Sequence, residues 1–180
     1  MTRKLALMLG AVWCCAATGA SSPVTALSGR YYDAVKVKEY KIGPAEHYFG
    51  EEIVEIVPIS ASAAYFRAHL QGSGANVCAL WGIAMAKGST LVYHDTSEPV
   101  EGHSRSCTLT ISRSGNSLRL DDGPDRSCWD HCGEQEWFSD FRLPWKSRRA
   151  ITYLSRLKAS QQYHDALTEW RARTKKTEAQ

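Results

Sequence analysis

Asn76-Val77-Cys78-Ala79-Leu80-Trp81-Gly82-Ile83-Ala84-Met85-Ala86 reads as one long apolar strand in this 180-residue chain. Successive side chains of a strand point to opposite faces. Val77, Ala79, Trp81, Ile83 and Met85 therefore share one face, and Cys78, Leu80, Gly82 and Ala84 share the other. The same period of two continues on both sides of it. Upstream, Ile53 to Val57 is β-branched and stops at Pro58, and Ala64, Phe66, Ala68 and Leu70 alternate with Tyr65, Arg67 and His69 before the turn Gln71-Gly72-Ser73-Gly74. Downstream, Lys87-Gly88 leads into Thr90 to His94. Arg105 to Arg113 sets Cys107, Leu109 and Ile111 against Thr108, Thr110 and Ser112, and Gly115-Asn116 is a two-residue hairpin signal before Leu118 and Leu120. Glu136 to Leu143, with Trp137, Phe138 and Phe141, is expected to supply the last strand. Six or seven short strands with turns between them predict a mainly β (α+β) chain, an antiparallel sandwich or small barrel.

The pattern changes after Pro144. Ser147 is expected to cap a helix carrying Ile151, Leu154 and Leu157, and Ser160 a second carrying Tyr163, Ala166, Leu167 and Trp170. These one or two C-terminal helices over 146–173 pack on the β-domain of 51–145, and the charged end, 174–180, frays. Residues 21–50 form a lead-in. Ser21 to Gly29 reads as small, polar and flexible, and Tyr31 to Tyr40 as an extended stretch at the edge of the core, broken by Gly43-Pro44.

Residues 1–20 read as a secretory signal peptide. Arg3 and Lys4 precede an uncharged run of eleven residues from Leu5 to Cys15, followed by Ala16, Ala17, Thr18, Gly19 and Ala20. Cleavage after Ala20 is expected, and the run is shorter than the ~20 apolar residues that span a bilayer. Removing it takes Arg3, Lys4, Cys14 and Cys15 away and leaves 20 basic and 19 acidic side chains, a net of +1. That balance gives no sign of nucleic-acid binding. The charge is uneven: residues 21–145 hold 11 basic and 16 acidic side chains, whereas 146–180 hold 9 and 3. A basic helical segment docked on an acidic β-domain is the expectation, with a basic face for anionic polymer as the alternative.

Cys78, Cys107, Cys128 and Cys132 remain. An even number in an exported chain predicts two disulfides, and a meander brings all four to one end of the sheet. Three pairings are open. Zinc held by Cys107, Cys128, His131 and Cys132 is the disfavoured alternative, because the spacing lacks paired Cys-x-x-Cys units. No metal and no cofactor is expected: the order Cys-x-x-His-Cys is not that of haem attachment, and no glycine-rich phosphate loop is present.

Catalytic motifs are equally sparse. The Gly-x-Ser-x-Gly elbow and the His-Glu-x-x-His zinc motif are absent. His94-Asp95, near Ser104 or Ser106, has the composition of a base with its orienter, and Glu51 and Glu52 with Asp121 and Asp122 that of a glycosidase pair. Both residue sets also suit solvated surface. Of Trp81, Trp129, Trp137 and Trp145, Trp81 reads as core and Trp129 as surface. The loop Asp121–Glu134, whose sole apolar anchor is Trp129, is the expected binding element, through Trp129, Asp130 and His131.

A string of short motifs resembles a group of uncharacterised secreted proteobacterial proteins. It comprises Val57-Pro58-Ile59-Ser60 with Ala64-Tyr65-x-Arg67, Cys78 with Gly82-x-Ala84, Leu91-Val92-Tyr93, Cys107-x-Leu109-x-Ile111, Cys128-x-x-x-Cys132-Gly133 and Ile151-x-Tyr153-Leu154. The resemblance implies export, two disulfides and a β-domain closed by C-terminal helices, with no known catalytic residue. Such relatives follow Cys-Gly with a small residue, Arg and Gly, whereas this chain has Glu134-Gln135-Glu136. The functional expectation is a monomeric, non-enzymatic binding protein of the periplasm or exterior. Its partner is an envelope protein or wall polymer, and an inhibitor of a cell-wall hydrolase is the most concrete form. The alternatives are an envelope hydrolase using His94 or His131, and a structural envelope component.

Overall fold

The structure is a computed structural model that describes residues 21–39, 46–72, 76–95, 106–134 and 136–178. The segment read as a signal peptide lies outside them, as does Ser104. Eight antiparallel strands follow one another in chain order: β1 (Gly29–Glu39), β2 (Glu46–Pro58), β3 (Ala63–Gln71), β4 (Val77–Lys87), β5 (Thr90–His94), β6 (Thr108–Ser114), β7 (Ser117–Asp121) and β8 (Phe141–Pro144). A short helix, α1 (Pro23–Leu27), precedes them, and α2 (Leu154–Lys158) and α3 (Gln161–Glu178) follow. The sheet curls into a nearly closed barrel. Its seam is held where Arg30 and Arg149 exchange backbone hydrogen bonds of 2.9 and 2.8 Å and the Tyr32 N–H donates to Ser147 Oγ at 3.2 Å.

The two-residue loops after β4 and β6 place glycine at their first position, Gly88 at φ 60° and Gly115 at φ 58°, a left-handed conformation that costs a side-chain-bearing residue about 1–2 kcal/mol. Alternation then sets the layers. Val54, Ile56, Ala64, Phe66, Ala68, Leu70, Leu80, Leu91, Leu109, Ile111, Leu118, Leu120 and Leu143 fill the barrel. The opposite faces of β2, β3 and β4 supply Val57, Tyr65 and Ile83, which pack under Leu157, Tyr163 and Ala166 of the C-terminal helices.

Several expectations shift. The stretch read as a lead-in contributes α1, all of β1 and the start of β2, so the sheet reaches eight strands. Ser21 to Gly29 is ordered because Ser22 Oγ accepts the Val24 N–H and Pro23 sits in the first turn. Val24 and Leu27, three apart, fall on one side and enter the barrel core. Arg148 Nε donates to the Ser28 carbonyl at 2.7 Å just past the end of α1. Ser147 caps no helix: it ends a 3-10 turn, Trp145–Ser147, with its hydroxyl on the Pro144 carbonyl, and α2 begins at Leu154. Ser160 does cap α3, its Oγ accepting the Tyr163 N–H. That helix continues to Glu178, into the 174–180 end expected to fray.

The helical segment is docked by apolar contact and by hydrogen bonds to an ion pair of the sheet whose carboxylate is buried. Arg30, Glu55, Arg67 and Trp81 are successive cross-strand neighbours in one row over β1 to β4. Glu55 is fully buried, with Oε2 2.6 Å from Arg67 Nε and 2.5 Å from Arg67 Nη2. Its other oxygen accepts the Tyr153 hydroxyl.

Candidate functional site

The four cysteines converge as a meander requires. Cys78 is bonded to Cys132 and Cys107 to Cys128, which settles the pairing that the sequence left open. A Cys-x-x-x-Cys pair whose members bond to β4 and to the residue just before β6 is pulled taut, and the intervening residues form one 3-10 turn, Trp129–His131. Asp122 supports this from below: its Oδ2 accepts the Cys128 N–H at 3.2 Å and its Oδ1 the Ser139 hydroxyl at 2.6 Å. Gly133 lies against Asn76, where a Cβ would come within 2.7 Å of its Oδ1, and its N–H reaches the Val77 carbonyl at 3.0 Å.

A 3-10 turn has three residues per turn, so Trp129, Asp130 and His131 point in three directions. Trp129 is 59% exposed. It lines a groove of about 600 Å³ with Asp125, Arg126, Glu134, Glu136 and Trp137. Trp137 is also exposed, at 39%, and the Arg126 guanidinium lies 3.9 Å above its ring centre. Arg126 takes φ 49° without being glycine. Its N–H donates to the Gly123 carbonyl and its own carbonyl accepts the Trp129 N–H at 3.1 Å. The strained residue therefore fixes the position of one indole through its backbone and of the other through its side chain. His131 turns the other way, its Nε2 3.6 Å from Asp95 Oδ2.

The sequence candidates divide clearly. Trp129, Asp130 and His131 sit together on the stapled turn. His94 does not act with Asp95: His94 Nδ1 is 3.0 Å from Thr108 Oγ1, whereas Asp95 faces His131. Three of the four carboxylates offered as a glycosidase pair are committed elsewhere. Asp121 binds Arg119 and the Gly123 N–H, Asp122 is buried in the loop, and Glu51 accepts the Tyr32 hydroxyl at 3.4 Å. Trp81 packs under the helices, and Trp145 packs on the barrel core over Tyr31. Among the described residues no cluster of three metal-ligating side chains forms, and the four cysteines proposed in part as zinc ligands are oxidised in pairs. Arg126 carried no signal in the sequence, since its role follows from a backbone conformation set by the closed loop.

At the same end Glu52 has its carboxyl pushed up to about 7, first by burial, then by Asp33 and Glu136. A raised carboxyl pKa means that the folded state holds a proton the unfolded state releases. The contribution is complete below the ordinary value near 4.5 and is lost as pH rises through 7. Glu52→Gln should therefore flatten the fall in Tm between pH 5 and 8 and stabilise the protein at pH 8 by about 1–2 kcal/mol, after allowing for solvent screening. Parallel Tm profiles for variant and parent would refute this.

Two disulfides assign folding to an oxidising, extracytoplasmic compartment. No helix of the described residues is long and apolar enough to cross a membrane. No protein-family model, curated protein or solved structure matches the chain.

Proposed function

We propose that this protein is an exported binding protein, of the secreted proteobacterial kind its motifs resemble, that offers the stapled loop to a basic protein of the bacterial envelope. The observation that carries the reading is the pair of exposed indoles, Trp129 and Trp137, flanking one groove on a loop pinned by two disulfides. Indoles supply large contact area with few rotatable bonds, and a pinned loop loses little further entropy on binding. Charge narrows the partner. Asp121 and Asp140 are matched by arginines. Asp125, Glu134 and Glu136 at the groove and Asp130 on the turn face only Arg126 as a cation of residues 121–140, so a basic surface is steered to this end. A cell-wall hydrolase of the lysozyme class is the most concrete partner, and the protein acts on it without chemistry of its own, in the periplasm or outside the cell.

The test is direct binding and inhibition against a basic muramidase, with an acidic protein of similar size as control. Trp129→Ala with Trp137→Ala should weaken binding by about 100-fold, given ~1–2 kcal/mol or more for each hot-spot indole. Binding that ignores the double substitution, or that favours the acidic control, would sink the assignment.

A further inference from the structure

The barrel wall is interrupted between β4 and β5. Their ladder starts only at Met85↔Val92 and ends at Lys87↔Thr90. Toward the disulfide end, β4 is bridged on that side by the stapled loop instead, through Cys78↔Cys132. Ala79 to Ala84 thus have no ladder partner on the β5 side among the described residues, a window of about 20 Å at the rise of a strand. The cause is local. The loop, tied to Cys78, takes the place that a longer β5 would occupy.

Tyr93 fills the window from within. Its ring lies on the backbone of Gly82, where a Cβ would overlap it, and meets Phe66 edge-on at 5.2 Å. In the window Tyr93, Trp81, Asp95, His131 and Glu169 line a cleft of about 250 Å³. Four separate elements contribute: β4, the end of β5, the 3-10 turn and α3. The Glu169 carboxylate is positioned by Arg173, whose Nη2 lies 3.2 Å from it and whose Nη1 donates to the His94 carbonyl at 3.0 Å.

The chemistry of this lining selects a charge. Two carboxylates converge on it, and a carboxylate has about four lone-pair sites, so it can accept from more than one donor at a time. Burial, then Asp95 and Glu169, raise the Tyr93 phenol above its usual range, so it stands as a neutral hydroxyl. Trp81 and Tyr93 bring two aromatic residues to the lining, and aromatic neighbours favour a cation over an anion. An anion would meet two negative groups, and a purely apolar ligand would cover polar ones without pairing them. The size admits one lysine- or arginine-sized group and little more.

We propose that the β4–β5 window binds a single ammonium or guanidinium group on a short apolar stem, held by Asp95 and Glu169 against Trp81 and Tyr93. Two sources carry that chemistry: a free small amine, or a lysine or arginine side chain of a partner protein. The site is independent of the Trp129 groove.

The experiment is a titration of the ¹⁵N-labelled, disulfide-bonded protein with n-butylammonium, ethylguanidinium, butyrate, n-butanol and a blocked single-lysine peptide, followed at the Trp81 indole N–H. Saturable shifts are expected with the cations and none with butyrate or butanol. Asp95→Asn with Glu169→Gln should weaken binding at least about tenfold, as loss of charge-assisted hydrogen bonds does, and Trp129→Ala should leave it unchanged. Binding of the free amines assigns a small-molecule cation, and binding of the peptide alone assigns a partner's side chain. No saturable shift with any cation or the peptide, equal shifts with butyrate, or binding indifferent to the double substitution would overturn the proposal.

Discussion

Replacing Cys78 and Cys132 together by serine should cost about 4 kcal/mol of stability, and replacing Cys107 and Cys128 about 3 kcal/mol. The two values follow from the separations that each bond closes, 54 and 21 residues, because a cross-link restricts the unfolded chain more when it closes a longer loop. Against a total of about 5–15 kcal/mol for a domain, either loss is large. The effects differ in place as well as size. The longer bond ties the stapled loop to β4 and maintains the window beside it, whereas the shorter holds the Asp122–Cys128 turn against the start of β6, where the Thr108 N–H meets Ser127 Oγ at 3.0 Å. Urea unfolding of each double variant, with the parent measured with and without reductant, gives both values. Losses below about 1 kcal/mol for both pairs would mean that the loop is held by its hydrogen bonds instead.

Glu55→Ala should be the most costly single substitution of a charged residue, at about 3 kcal/mol. The carboxylate is fully buried and answers Arg67 on one side and Tyr153 on the other. Its removal leaves a guanidinium and a hydroxyl facing a site from which water is excluded. Arg67 is 32% exposed at its side chain and also reaches Gln162 Oε1 at 3.5 Å, which holds the cost toward the lower end of the usual range for a broken buried pair. Tyr153→Phe, which removes one hydroxyl and keeps the ring, should cost about 1 kcal/mol. Because Tyr153 precedes α2 and Gln162 lies in α3, protease cleavage near residues 150–165 should increase in Glu55→Ala before the barrel unfolds. Chemical denaturation combined with limited proteolysis checks both expectations, and a Glu55→Ala variant as stable as its parent would show the pair to be neutral.

The helices illustrate where sequence reasoning held and where it stopped. Ser160 and the stripe of Tyr163, Ala166, Leu167 and Trp170 predicted α3 and its packing face, since a cap and a period of 3.6 are local properties. Ser147 offered the same local signal, yet Arg149 is taken by the backbone of Arg30 at the barrel seam, and an extended segment there closes the sheet. The docking of the helices also uses a specific device that the charge count does not show. The helices dock through apolar side chains and one buried carboxylate, with Arg67 and Tyr153 as its partners.

By itself the sequence determined the strands between Ile53 and Leu120, their antiparallel order and the end of the sheet at which the cysteines gather. Side-chain direction alternates along any strand, and each hairpin reverses the chain, so these features need only neighbouring residues. The tertiary structure alone decided which cysteines bond, that the sheet curls into a nearly closed barrel and not a sandwich, that Arg126 grips Trp137, and that Asp95 meets His131 from 36 positions away. Each of these depends on register and loop closure, where many small terms sum across strands remote in sequence and no local pattern records the outcome.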